Sequence, residues 1–200
     1  MQSPVYTSHV ECSGVGVKLL SETGTSGRLG ARRSRTQAEE MAAKLTADMK
    51  RVVMEQQLAY VATVCPDGTP NLSPKGTIAV WDDVHLVFAD IRSPGTMANI
   101  KANPAVEVNI VDPFARKGYR FKGVGEAIVD GARFEEIMRF YRSRWVDAAR
   151  RKAEPVIRGF VLVKVERALP LISPAYDDVS SNEQSIRKYW ISHFAALNER

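Results

Sequence analysis

A mainly β fold, an antiparallel barrel of six or seven strands with helices packed outside it, is what this sequence predicts, and three observations predict it. Short apolar or alternating segments recur through the chain at 58–64, 85–89, 105–111, 119–129 and 159–165, separated by turn residues or short helical stretches. Only one short helical segment, residues 93–103, interrupts the central set, whereas a doubly wound parallel sheet needs a helix between most strands. Many short antiparallel strands leave exposed edges unless the sheet curls and closes on itself, which points to a barrel.

Composition is consistent with this. The chain has 200 residues, 44% hydrophobic and 26% charged, enough for one domain that buries roughly 70% of the surface its unfolded chain exposes. No apolar run approaches the ~20 residues that span a bilayer, so a soluble, cytoplasmic protein with no membrane partner is expected. Cys12 and Cys65 are too few for a disulfide framework, and His9, His85 and His193 open no metal-ligand motif, so no metal is expected. A formal charge of +5 permits nucleic-acid or phosphate binding without demanding either.

Taken in order, residues 1–36 are rich in Ser, Gly, Thr and Arg without periodicity and read as a disordered tail. Met41 would make a natural start, which would turn that tail into a start-site artefact. Residues 37–200 are read as a single domain. Met41, Leu45, Met49, Val52 and Val53 recur at helical spacing over 37–56. "LAYVATV" then forms a strand ended by the turn Pro66-Asp67-Gly68, and 70–81 continues extended to a second turn at Asp82-Asp83. Strands at 85–89, 105–111 and 119–129 follow. A helix carrying Phe134, Ile137, Met138, Tyr141 and Trp145 on one face leads to Pro155, and the last strand spans 159–165. The segment Ser181-Asn-Glu-Gln184 matches a capping box opening a final helix, on which His193 is read as a packing residue.

Three segments could carry chemistry. "DIRSPGTMANIKANP" is a helix with both ends marked: Ser93 at the N-cap, Pro94 at the first helical position, Asn103-Pro104 as the stop. The N–H groups of Gly95 and Thr96 lack intrahelical acceptors, and no acid occupies the first turn to offset the dipole. Ser93 could simply cap its own helix. The position after a strand, the missing acid and the neighbouring segments favour a bound phosphate instead. "NLSPKG" is the second: Pro74 removes a ladder donor, so the segment is a sheet edge, a bulge or backbone facing a ligand, and Lys75 and Gly76 supply charge and close approach. The third is "RKGYRFKG", whose period of two puts Tyr119 and Phe121 on one face and Arg120 and Lys122 on the other. Gly123-Val-Gly125 lies inside a strand and is no dinucleotide fingerprint, and nothing indicates a side-chain nucleophile. Phe88 and Phe121 fall at core positions, unlike the exposed stacking aromatics of an oligonucleotide-binding barrel, so nucleic acid is not the expected partner.

In this order, "LAYVATVCPDGTPNLSPKG", "LVFADIRSPGTMANIKANPAVEVNIVD" and "YRFKGVGEAIVDG" resemble the flavin-binding split-barrel family related to pyridoxamine 5'-phosphate oxidase, over about residues 50–130. The resemblance implies a split barrel, a homodimer and FMN at the subunit interface. Ser73, Pro74, Lys75 and Gly76 would lie along the flavin ring and ribityl chain, Lys75 raising the reduction potential. Ser93, Gly95 and Thr96, with Asn99 on the next turn, would take the phosphate. Arg120 and Lys122 would face the cofactor or phosphate from the neighbouring strand or the partner subunit. The expected activity is FMN-dependent hydride or electron transfer with a small substrate, NAD(P)H being the candidate reductant. The alternatives are a non-catalytic flavin or haem carrier or sensor, and a deazaflavin in place of FMN. Two departures argue against pyridoxamine phosphate oxidation itself. The family's Arg-Lys pair at the helix start is replaced here by Gly95 and Thr96, and the chain has no C-terminal Arg-x-His-Asp-Arg run.

Overall fold

A computed structural model of the chain describes residues 44–144 and 156–199. The expected tail at 1–36, the first part of the 37–56 helix, Trp145 and Pro155 lie outside the described residues. Seven antiparallel strands form one curled sheet: β1 (Ala59–Val64), β2 (Pro70–Lys75), β3 (Ala79–Val80), β4 (His85–Asp90), β5 (Ala105–Asp112), β6 (Lys117–Ile128) and β7 (Gly159–Ile172), in the order β2-β1-β5-β6-β7-β4-β3. Four α-helices accompany it among the described residues: α1 (Ala47–Gln56), α2 (Pro94–Ala102), α3 (Gly131–Arg144) and α4 (Glu183–Leu197). The fold is the mainly β, seven-stranded antiparallel split barrel anticipated. β2 and β3 stand at opposite ends of the strand order, and the segment 76–78 joins them, so the ladder does not close.

The sheet has two apolar faces. Val61, Phe88, Val108, Phe121 and Val163 pack in the curl, against Val53 of α1 and Met97 and Ile100 of α2. On the opposite face of the β4–β7 half, α3 covers Phe160, Leu162 and Val87 with Ile137 and Tyr141. The Tyr141 hydroxyl donates to the carbonyls of Thr77 (2.6 Å) and Val87 (3.1 Å), clasping the 76–78 segment to β4. The corresponding face of the β2-β1-β5-β6 half has no helix over it among the described residues. Tyr60, Leu72 and Val111 are 49%, 62% and 40% exposed there.

Local chemistry moved several boundaries. α1 starts at Ala47 because the Thr46 side chain accepts from Met49 N–H (3.2 Å), and Leu45, though at helical spacing, precedes that cap. The expected continuous strand 70–81 breaks at Gly76-Thr77. β7 runs seven residues past the predicted Val165, because a register shift opposite Lys122/Gly123 absorbs one residue and pairing resumes from Arg167 to Ile172. β4 pairs only with Gly159 to Lys164, so the extension is an edge on that side and tolerates Pro170. Gly123 has a steric reason: an added Cβ would overlap the Lys164 carbonyl across the sheet. The capping box of α4 is Asn182 with Ser185, one position later than read, the two side chains bonding each other's backbone N–H.

Candidate functional site

β2 ends at Lys75 on the sheet edge, and α2 begins at Pro94 directly after β4. The curl brings these two ends together. Lys75 is 3% exposed. Its ammonium donates to the hydroxyls of Ser73 (2.5 Å), Ser93 (2.7 Å) and Thr96 (3.5 Å) and lies 5.6 Å from the Phe88 ring centroid. Burial pushes the Lys75 amine below its ordinary value, and the charge of Asp90 works in the opposite direction. No carboxylate among the described residues comes within 4 Å of it.

The start of α2 is built for this arrangement. Ser93 occupies the N-cap position without making a side-chain cap. Its hydroxyl accepts from Lys75 instead, and its N–H donates to Asp90 Oδ1 (2.7 Å). The first turn holds no acid, and the first helical hydrogen bond is Met97 N–H to Ser93 carbonyl, which leaves the N–H groups of Gly95 and Thr96 without helical acceptors. A Cβ on Gly95 would meet nothing within 4 Å. Each hydroxyl that accepts from Lys75 retains an O–H to donate, so the buried cation orients a set of donors.

A cleft of about 350 Å3 opens on this cluster, lined by Ser73, Pro74, Lys75, Gly76, Arg92 and Ser93 among others. A second cleft of about 340 Å3, between α1, β6 and α4, is different in kind. Its charges neutralise one another: Arg51 pairs with Asp48 (2.7 Å), Arg187 with Asp112 (2.8 Å) and Lys117 with Glu183 (3.2 Å).

Of the ten residues singled out from the sequence, seven gather here: Ser73, Pro74, Lys75, Gly76, Ser93, Gly95 and Thr96. The strand end at 73–76 and the helix start at Ser93, expected near each other in a barrel, form one cluster joined by Lys75. Asn99 departs from the expectation. It is buried, and its amide donates to Thr63 Oγ1 (3.1 Å) and Cys65 Sγ (3.5 Å), tying α2 to β1 rather than facing the helix start. Arg120 and Lys122 stand on the opposite face of the sheet, against Glu107 (3.6 and 3.2 Å), so within one chain they do not reach the cleft. Sequence reasoning missed Asp90 and Arg92. In the sequence Asp90 only closes the apolar run Leu86-Val-Phe-Ala89, as a turn acid would; its burial shows in the structure.

The donor set fits a phosphate: the buried Lys75 ammonium and the Ser73 and Ser93 hydroxyls line one open cleft, with the Thr96 hydroxyl and the first-turn N–H groups of Gly95 and Thr96 next to them. The family model described as pyridoxamine 5'-phosphate oxidase matches residues 45–168. Among solved structures the chain is similar to HupZ of Group A Streptococcus, with 33% identity, a TM-score of 0.54 and coverage of 64% of this chain and 94% of that one. It is also similar to an FMN-binding protein of Syntrophomonas wolfei, with 15% identity, a TM-score of 0.52 and coverage of 72% and 97%, a likeness of fold. No curated protein matches. Among the described residues no helix is long and apolar enough to cross a membrane.

Proposed function

Because this chain belongs to the pyridoxamine 5'-phosphate oxidase family, whose model its residues 45–168 match, we propose that it binds FMN in the Lys75 cleft and acts as a flavin-dependent oxidoreductase on a small molecule. The observation that carries this is Lys75: an ammonium 3% exposed, turned toward the start of α2 and bonded only to hydroxyls, beside an open cleft. A lysine costs free energy to bury, and a phosphate seated on the same hydroxyls would offset that cost. Bound flavin would supply two-electron redox chemistry. The chain's residues do the rest. Ser73, Ser93 and Thr96 present hydroxyl hydrogens, Gly95 and Thr96 present backbone N–H groups, and the Lys75 charge favours a bound group that takes on negative charge.

The same reading includes a cytoplasmic homodimer with the cofactor at the interface. The support is the uncovered sheet face, where Tyr60, Leu72 and Val111 are exposed and Arg120, Glu107 and Lys122 are already paired. On that face Arg120 and Lys122 would serve a partner's cofactor rather than their own. Gly95 and Thr96 in place of a cationic pair, with no C-terminal Arg-x-His-Asp-Arg run, set the substrate apart from pyridoxamine phosphate.

The test is the spectrum of the purified protein, reconstituted with FMN where needed. Flavin bands that bleach with dithionite and reoxidise in air, with steady turnover on NAD(P)H and an acceptor, are expected. A flavin that binds and never turns over makes the protein a carrier. Failure to hold FMN, with deazaflavin or haem retained instead, replaces the cofactor assignment.

A further inference from the structure

Arg92 is the side chain of the cleft that neither the sequence motifs nor the hydroxyl cluster uses. It follows β4, directly precedes Ser93, is exposed, and lines the same cleft as Lys75 and Ser93. Among the described residues it makes no hydrogen bond, ion pair or ring contact.

A solvated arginine would be the ordinary explanation, and its position speaks against it. Cations next to a helix N-terminus oppose the dipole, so helices favour acids there. This chain does the reverse. It puts Arg92 immediately before the N-cap, turns Lys75 onto the first turn from β2, and leaves that turn without an acid. The one buried carboxylate nearby, Asp90, accepts from the Ser93 N–H. Three sources of positive potential therefore converge on one open cleft against a single negative charge. Left without an anion, this arrangement destabilises its own helix.

We propose that Arg92 is the outer half of a split cationic clamp, with Lys75 the inner half, that selects a dianionic phosphate group. Lys75 acts through the hydroxyls it orients, from inside. Arg92 meets the exposed oxygens at the mouth, where a guanidinium can bind two at once. The clamp supplies from β2 and from the residue before the cap the charge that Gly95 and Thr96 cannot supply. The inference rests on the proposed flavin site and adds to it the residue that discriminates phosphorylated from unphosphorylated ligand.

The experiment is titration of the full chain, wild type and Arg92→Ala, with FMN and with riboflavin, followed by quenching of flavin fluorescence. Arg92→Ala should weaken FMN about tenfold or more, the size of a charged hydrogen bond, and leave riboflavin within about twofold. Arg92→Lys should keep part of the FMN preference. Equal losses for both flavins, or no loss for FMN, overturn the clamp. If wild type binds neither flavin the cofactor assignment fails by itself, and inorganic phosphate then decides. A phosphate-induced rise in melting temperature, present in wild type and absent in Arg92→Ala, upholds the clamp, and its absence in wild type overturns it.

Discussion

Lys75 is charged in the unfolded chain over most of the pH range and is held in the fold by three hydroxyls rather than a carboxylate. Two consequences follow at its own scale. Lys75→Met keeps length and apolar contact with Phe88 while removing a buried charge, so the melting temperature should stay level or rise, while FMN affinity falls about tenfold or more. A variant that unfolds instead shows that the ammonium supports the structure, and the site assignment loses its main argument. The pH dependence has a definite sign. The folded value lies below the ordinary one because of burial, so between the two the unfolded state binds more protons and this group contributes stability that increases with pH. Phosphate affinity should move the other way, falling as pH rises toward the depressed value and before an ordinary lysine near 10.4 would lose its charge. At this scale the sequence was informative where a residue has a local reason to be odd: Pro74, Lys75, Ser93 and the missing first-turn acid all stand out against their neighbours. Asp90 and Arg92 did not, because a strand-end acid and a lone arginine look like turn residues until the curl of the sheet puts them beside β2. Nor could the inward turn of Asn99 be read, since α2 carries little apolar pattern to fix its rotation.

Between elements, the contrast is between two helix starts that look alike in sequence. Thr46 and Ser93 both precede a helical run, yet only Thr46 makes a side-chain cap. Thr46→Ala should therefore cost about 1 kcal/mol of stability, the usual value of a lost cap. Ser93→Ala should cost less in the protein without ligand and should weaken FMN binding, because its hydroxyl accepts from Lys75. Denaturant midpoints of the two variants, measured without and with FMN, check this, and equal losses without ligand would show that Ser93 is an ordinary cap. Strand existence was legible from alternation and turn residues, and strand length was not. The second half of β7, "ERALPLI", holds charges and a proline that argue against a strand. It is one because β6 pairs with it as far as Ile172, although its pairing with β4 ends at Lys164.

For the whole molecule, the sheet itself poses the remaining question. α3 covers the outer face of the β4–β7 half, and the equivalent face of the other half presents exposed Tyr60, Leu72 and Val111 on strands that pair in register. A patch of this kind on a curled sheet suits an isologous contact, in which the same residues meet across a two-fold axis. Arg120 and Lys122 share that face and both pair with Glu107, which offsets one of their two charges and lowers the repulsion between two such surfaces. A second chain there would also bring its own Arg120 and Lys122 toward the first chain's β2 edge, which the single chain cannot do. Leu72 is the residue to change, because it is 62% exposed on an edge strand and its substitution leaves the core intact. Leu72→Glu should convert a dimer to a monomer in sedimentation equilibrium while leaving the far-ultraviolet circular dichroism unchanged. It should also weaken FMN binding if the cofactor spans the interface. A wild-type protein that sediments as a monomer at micromolar concentration would remove the dimer from the proposal and confine the cofactor to the groups of one chain.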